Sequence, residues 1–381
     1  MMWLRRFATL ALCCSGVLAD VRPRTRDLGI PLAGDPGPLN AITDVAGVEV
    51  GHVTLVSGEG ALKVGAGPVR TGVTAVLPRG KASNDPVFAG WFSLNGNGEM
   101  TGTAWMDESG FLEGPVMLTN THSVGTVRDA VISWRVAHGR ADAEGYWWSL
   151  PVVAETWDGY LNDINGFHVK ERHVFEALSG ARGGPVPEGS VGGGTGMICF
   201  EFKGGIGTAS RVLPAAEGSY RVGVLVQCNC GRRRQLVVAG VPVGPEIPEG
   251  TLRDEEAGSI IIVVATDAPL LPHQLQRLAR RASLGLARAG SVSGNGSGDL
   301  FVAFSTANPD AAAPTAPPPL RMLPNAKMDP LFEAVVQATE EAIVNAMLAA
   351  RTMTGAGGRR AIELPHDRLR DALRRHGRLS K

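Results

Sequence analysis

The bond between Gly258 and Ser259 is where the order of residue types most clearly suggests chemistry. An acidic loop that contains residues 254–256 stops there, and a wholly apolar run, residues 260–265, follows the serine. If the chain cuts itself here, by rearrangement to an ester and hydrolysis, Ser259 becomes an amino-terminal residue on a rigid strand. Its α-amino group, with an ordinary pKa of about 7.7–8.0, then suits the role of base for the neighbouring hydroxyl. From residue types alone, an ordinary loop-to-strand junction remains the simpler explanation.

Other catalytic motifs are missing from the sequence. No serine occupies the Gly-x-Ser-x-Gly pattern of an α/β-hydrolase, and no histidine belongs to a His-Glu-x-x-His zinc motif. The glycine-rich residues 294–298 lack dinucleotide-loop spacing, and a strand, not a helix, is predicted after them at 300–304. We therefore predict no metal and no cofactor.

The overall composition is typical of a folded globular protein. Hydrophobic residues make up 44% of the 381 residues and charged residues 19%, which is unlike a disordered chain. Lysine plus arginine and aspartate plus glutamate each number 37. The chain therefore lacks the basic excess of a general nucleic-acid binder.

The first 19 residues have the features of an export signal. A basic start is followed by an apolar run at residues 7–19, which ends directly before Asp20. The run is too short to span a bilayer permanently, so we expect a periplasmic or secreted protein that leaves the membrane after export. A buried amino-terminal helix is the alternative interpretation of these residues.

The cysteines do not form a recognisable framework. Two of the five, Cys13 and Cys14, would leave with the signal, and three remain, Cys199, Cys228 and Cys230. Three is an odd number for disulfides. Cys228 and Cys230 share one face of a predicted strand, but Cys-x-Cys supplies too few ligands for a metal. We expect simple packing of small side chains there.

Hydrophobic patterning predicts strands interleaved with helices, and no internal repeat is present. The third helix should be capped by Asp329 and Pro330 and stop at Gly355, and Val136 should lie on the apolar face of the first. Because no flexible linker divides the chain, one α/β domain is expected. Strands are predicted at 48–53, 72–77, 152–157, 222–226, 259–265 and 300–304, and helices at 124–138, 271–289 and from 329.

A set of short motifs gives the sequence a family resemblance. They follow one another over nearly the whole chain after the signal, at residues 40–48, 71–74, 95–99, 151–156, 192–196, 265–270 and 296–299. On these motifs the sequence resembles the family of L-aminopeptidase/D-esterases and β-aminopeptidases. Members of this family cut themselves before a serine, which then acts as the nucleophile.

The resemblance implies roles for four residues in the reaction. Ser259, which opens the apolar strand, takes the place of the family's nucleophile. Ser297 and Asp299 fall on the family's Ser-Gly-acid motif and would relay protons and orient the nucleophile. Asn229, in the Val-Gln-x-Asn segment, would bind the oxyanion, for which an amide N–H is a suitable donor. Without the resemblance, a turn cap, a solvated acid and a strand bulge would be the favoured explanations of the last three.

The resemblance also implies a substrate-binding pair, Glu155 and Trp157. Glu155 lies in the Ala-Glu-Thr motif and would pair with the free ammonium group of the substrate, which explains aminopeptidase specificity by charge complementarity. Trp157 should line the pocket for the first residue. Related enzymes carry tyrosine or leucine there, and Cys228 and Cys230 also depart from the family pattern, so the shape of the pocket is expected to differ.

The fold implied by the resemblance is a four-layer αββα sandwich, similar to N-terminal-nucleophile hydrolases but differently connected. A signal peptide (1–19) would precede one catalytic domain, cut into a large chain (20–258) and a small chain (259–381). Homotetramers or larger assemblies of cleaved protomers are implied. The implied substrates are short peptides, amides and esters with a small L- or D-residue at the amino terminus.

Three other functions fit parts of the pattern. A β-aminopeptidase would share the mechanism and accept an extra backbone carbon in the first residue. An amidase on the same scaffold, such as a pantetheine-amide hydrolase, would not depend on a free amino terminus. An exported binding protein without catalysis fits least, because the motif residues are all present: Gly258, Ser259, Ser297, Asp299, Asn229 and Glu155.

Overall fold

A computed structural model describes residues 22–138, 148–252, 258–313, 315–316 and 318–380. The predicted signal peptide, with Cys13 and Cys14, and the acidic residues 254–256 lie outside these ranges. Within the described ranges, no helix has both the length and the apolar character needed to cross a membrane.

Strands and helices alternate along the chain, as the hydrophobic pattern predicts. The strands are β1 (Glu49–Ser57), β2 (Val69–Leu77), β3 (Val87–Gly96), β4 (Phe111–Leu112), β5 (Val116–Asn120), β6 (Val152–Thr156), β7 (Ile198–Cys199), β8 (Phe202–Lys203), β9 (Gly205–Val212), β10 (Arg221–Asn229), β11 (Ser259–Thr266), β12 (Gly298–Ser305), β13 (Met353–Thr354) and β14 (Arg360–Ala361). The α-helices are α1 (Thr103–Ser109), α2 (Val124–His138), α3 (Glu171–Ser179), α4 (Pro272–Arg288), α5 (Asp329–Ala349) and α6 (His366–Arg375).

The larger sheet has six strands in the order β4-β3-β12-β11-β10-β9. β11 lies inside it, parallel to β12 and antiparallel to β10. Its apolar run is continuous because both faces are buried: Ile260 and Ile262 face one core, and Ile261 and Val263 face the other. A central strand covered on both sides is the reason for such a run.

The two sheets and the helices form four layers. α4 and α5 pack on one face of the larger sheet, and the second face meets a smaller sheet of order β1-β2-β5-β6. α2 and α3 cover the outer face of that smaller sheet. Three separate cores fill the three spaces between layers. The αββα sandwich implied by the sequence is confirmed.

The end of α5 and the side chain of Val136 differ from the sequence-based expectation. α5 ends at Ala349 and not at Gly355, because Ala350 is already extended (φ −73°, ψ 150°) and leads into β13. Asp329 is the first helical residue and Met328 precedes it, so Asp329 is not the cap. Val136 is 53% exposed; five residues after the buried Val131, it points away from the apolar face.

Candidate active site

Ser259 is the first residue of β11 and lies between two neighbouring strands. It is paired with Asn229, the last residue of β10, on one side and with Gly298, the first residue of β12, on the other. The backbone N–H of Gly298 donates a hydrogen bond of 3.1 Å to the Ser259 hydroxyl oxygen. The starts of two parallel strands and the end of an antiparallel one thus meet at this hydroxyl.

Ser297 and Asp299 flank Gly298 and are fully buried. The Ser297 hydroxyl donates a hydrogen bond of 2.7 Å to a carboxylate oxygen of Asp299. The turn before β12 is held by Asn95, whose side-chain amide donates to the Gly294 carbonyl at 2.7 Å. A hydroxyl and a carboxylate therefore lie on either side of Gly298, whose N–H contacts Ser259.

The side chain of Asn229 is oriented by a hydrogen bond at each end. Its oxygen accepts from the Ile198 N–H at 2.7 Å, and its nitrogen donates to the Trp157 carbonyl at 2.9 Å. Because an amide nitrogen carries two hydrogens, the bond to Trp157 uses one of them. The register places the Asn229 backbone directly opposite Ser259.

Glu155 lies near the end of β6 and is 3% exposed. One carboxylate oxygen accepts from the Glu99 N–H at 3.1 Å, and the other accepts from the Thr121 hydroxyl. Burial raises the pKa of Glu155, and the two hydrogen bonds partly oppose this rise. The site therefore holds a buried carboxylate that the protein supports with two donors.

Ser259 and Glu155 open into one cavity of about 540 Å³. Trp157 is 37% exposed on its wall. Its indole lies so close to Gly159 that a Cβ there would come within 2.7 Å of the ring. At Gly258 a Cβ would overlap the carbonyl oxygen of Asn229, so only glycine fits before the serine. The cavity is lined by Gly96, Asn97, Gly98, Glu99, Thr121, Glu155, Trp157, Gly258, Ser259 and Gly296.

The structure brings the predicted site residues together and adds three groups that the sequence did not reveal. Gly258, Ser259, Glu155 and Trp157 line the cavity, and Asn229, Ser297 and Asp299 lie around Ser259 as described above. The added groups are the N–H of Gly298, the N–H of Glu99 and the hydroxyl of Thr121. Backbone donors leave no trace in residue types, and Thr121 lies outside the recognised motifs.

The cysteines near Asn229 differ from the expectation of simple packing. Cys199 and Cys228 form a disulfide, with 5.7 Å between their Cα atoms. Cys230 shares the strand face of Cys228, as predicted, with 3.9 Å between the two sulfurs. The odd number of cysteines did not indicate this pairing, because two of the three sulfurs pair and the third lies beside them.

Comparisons with known proteins place the chain in one family. The sequence profile of peptidase family S58 matches residues 40–361. The β-peptidyl aminopeptidase BapA of Sphingosinicella microcystinivorans is 55% identical over 96% of each chain. A β-aminopeptidase structure from Burkholderia covers 93% of this chain and 99% of its own, with 50% identity and a TM-score of 0.85.

A second solved structure connects the fold to a mechanism class. The L-aminopeptidase D-Ala-esterase/amidase of Ochrobactrum anthropi covers 94% of this chain and 100% of its own, with 48% identity and a TM-score of 0.88. It is described as a prototype of the serine aminopeptidases and a new variant of the Ntn hydrolase fold. The profile match over residues 40–361 and the 55% identity to BapA show that the chain belongs to peptidase family S58.

Proposed function

We propose that this aminopeptidase cuts itself between Gly258 and Ser259 and then uses Ser259 to release amino-terminal residues from short peptides, amides and esters. The observation that carries the proposal is the shared cavity of Ser259 and the buried carboxylate of Glu155. A nucleophile at the start of a fixed strand and a counter-charge for an ammonium group are the two parts that an aminopeptidase needs.

Self-cleavage would begin with the Ser259 hydroxyl attacking the carbonyl carbon of Gly258. The peptide bond is replaced by an ester, and water then hydrolyses the ester to leave a new carboxylate and a free amine on Ser259. Glycine is suited to the position before the cut because its lack of a side chain lets the chain pass against Asn229. The hydrogen bond from Gly298 holds the attacking oxygen in place.

Substrate hydrolysis would reuse the same oxygen. The free amine of Ser259 takes the hydroxyl proton, and the oxygen attacks the carbonyl carbon of the first substrate residue. Asn229, through the amide hydrogen that Trp157 does not use, stabilises the negative oxygen that develops. The hydrogen-bonded pair of Ser297 and Asp299 orients the amine and relays its proton to the leaving group. Water then releases the acyl group from Ser259.

Glu155 would select substrates by their free ammonium group. Burying an ammonium without a counter-charge is costly, and Glu155 is the buried carboxylate in the cavity wall. Trp157 stands on the same wall and would limit the size of the first side chain. An amidase without this selection would act equally well on acetylated substrates, so the comparison of free and acetylated amines separates the two functions.

Two classes of residue are candidates for the first position of the substrate. The 55% identical relative is named a β-peptidyl aminopeptidase, which supports amino-terminal β-residues. The Ochrobactrum relative is named an L-aminopeptidase and D-Ala-esterase, which supports small α-residues. Rates on β-alanyl, L-alanyl and D-alanyl p-nitroanilides decide between them, and the substrate with the highest kcat/KM identifies the class.

Intact mass spectrometry tests the maturation step. Wild-type protein should give two chains, one ending at Gly258 and one spanning residues 259–381. Ser259→Ala should remain one chain and have no activity. Splitting of Ser259→Ala at the same bond without added protease would refute the proposal.

Export and assembly are part of the same proposal and have their own measurements. The sequence of residues 1–19 supports export to the periplasm or medium, and the resemblance supports a homotetramer or larger assembly. Amino-terminal sequencing of protein from the periplasmic fraction should begin at Asp20. Light scattering of the mature protein should give four or more protomers per particle.

A further inference from the structure

The segment that orients Asn229 is a small hairpin attached to the end of β10. β7 and β8 have two residues each and, among the described strands, pair only with each other. The Ile198 N–H donates to the Asn229 side chain, and the Phe200 N–H donates to the Cys230 carbonyl at 2.6 Å. Between these two bonds, the disulfide joins Cys199 to Cys228.

This hairpin needs support from its surroundings because its turn is unfavourable. The two central residues, Phe200 and Glu201, have φ angles of 48° and 62°, a left-handed conformation that two-residue hairpin turns usually reserve for glycine or asparagine. A residue with a side chain raises the backbone energy when its φ angle is positive, and such turns persist only when neighbouring contacts enforce them. The buried Lys203 contributes, since its ammonium donates to the carbonyls of Met197 and Gly204 at 2.7 and 2.9 Å.

The orientation of the Asn229 amide depends on this hairpin. The two ends of an amide have nearly the same shape, so the donor from Ile198 and the acceptor on Trp157 together decide which end is the oxygen. If Ile198 moves away, the amide keeps only its bond to the Trp157 carbonyl and can turn about it. Position errors of about 1 Å in such a group cost about a hundredfold in rate.

We propose that the Cys199–Cys228 disulfide is a positioning link for Asn229: it fixes the Ile198 donor to the strand end that carries the oxyanion-binding amide. The inference rests on the proposed function. Both cysteines precede Ser259 in the sequence, so the link holds one wall of the site and does not join the two chains of the cut enzyme.

Cys230 offers a matched control. It is as buried as the linked pair, and its sulfur lies 3.9 Å from that of Cys228, but it is not part of the disulfide. Cys199→Ala and Cys230→Ala each remove one buried sulfur from the same cluster, and only the first removes the link. Peptide mapping without reduction should recover Cys199 joined to Cys228 in the wild type.

The experiment is a double-mutant cycle with Asn229 on the mature enzyme. Cys199→Ala should lower kcat about tenfold to a hundredfold with KM within about threefold, and Cys230→Ala should keep kcat within about twofold. In an Asn229→Ala background, Cys199→Ala should have no further effect on kcat, because the link acts only through that amide. A merely structural role would lower the amount of folded enzyme equally in both backgrounds.

The outcomes separate this inference from the proposed function. A wild type that turns over none of the p-nitroanilides refutes the proposed function, and with it this inference. An active wild type in which Cys199→Ala keeps its kcat, or loses equal factors with and without Asn229, overturns the positioning role alone. Mapping that finds Cys199 as a thiol also overturns it. If Asn229→Ala stays uncut, the kcat and KM of Cys199→Ala against Cys230→Ala decide: equal kcat values refute the link.

Discussion

Replacing Glu155 by glutamine removes one negative charge from the cavity and changes its shape very little. The glutamine oxygen can still accept from the Glu99 N–H, and its NH₂ can donate to the Thr121 hydroxyl, since a hydroxyl both donates and accepts. Glu155→Gln should therefore fold and cut itself, because the uncut chain brings no free amine to this position. Its hydrolysis of substrates with a free amino terminus should fall.

The size of this loss follows from burial. Glu155 is 3% exposed, so solvent screens its pairing with an ammonium only weakly. Truncating one partner of a buried, hydrogen-bonded charge pair costs about 2–5 kcal/mol, which is roughly thirtyfold to several thousandfold in kcat/KM. Glu99 provides the control, because its exposed carboxylate belongs to the same cavity. Glu99→Gln should change kcat/KM by less than about fivefold.

The assay compares alanyl or β-alanyl p-nitroanilide, whichever the wild type prefers, with its N-acetyl derivative. The wild type should prefer the free amine, and Glu155→Gln should lose most of that preference while Glu99→Gln keeps it. Equal wild-type rates on both substrates would remove Glu155 from the mechanism and make the enzyme a general amidase. Unchanged kcat/KM in Glu155→Gln would refute the charge argument even if the preference exists.

The pH dependence tests the same carboxylate independently. Burial raises the pKa of Glu155, and only the ionised form pairs with an ammonium. The kcat/KM of the wild type should therefore fall as the pH drops through this raised pKa, and Glu155→Gln should lack that acidic limb. In the unfolded chain this carboxyl ionises at a lower pH than in the folded protein. Protonated Glu155 therefore contributes to folding stability at low pH, and this contribution is lost as the pH rises through the pKa of the folded state. At pH 7, calorimetry should give Glu155→Gln an equal or higher Tm.

Three further outcomes are expected. Gly258→Ala should slow or stop self-cleavage, since its Cβ would overlap the Asn229 carbonyl oxygen; normal amounts of both chains by intact mass would contradict this. Trp157→Ala should raise the kcat/KM of leucyl relative to alanyl substrates, because the indole lines the cavity, and an unchanged ratio would show that another group limits size. A strong chelator should leave activity intact, because a serine nucleophile needs no metal; loss of activity restored by zinc would refute the mechanism.

The fold could be predicted from the sequence where one physical signal dominated. The apolar run after Ser259 predicted β11 because a central strand buries both faces, and α2 followed from its apolar spacing and the glycine after it. The end of α5 could not be predicted the same way. No glycine or proline lies between Ala349 and Gly355, and only the extended conformation of Ala350 shows where the helix ends.

The residues of the candidate site were singled out only through the family motifs, and the groups that contact them could not be predicted at all. Residue types alone left an ordinary junction at Ser259 as the simpler explanation. The Gly298 N–H that meets the Ser259 hydroxyl depends on parallel strand register, and the register forms between segments far apart in sequence. The pairing of Cys199 with Cys228 also depends on tertiary structure, because cysteine spacing does not determine connectivity.

In the larger sheet, β11 and β12 are inserted between β3 and β10, two strands that precede Ser259 in the sequence. Once the bond before Ser259 is hydrolysed, neither piece contains the complete larger sheet, and unfolding becomes a dissociation into two molecules. Refolding then requires an encounter between the pieces, so it depends on protein concentration in a way that folding of the precursor does not. Self-cleavage would therefore make unfolding difficult to reverse, and the lifetime of the cleaved enzyme would be set by the rate at which the two pieces separate.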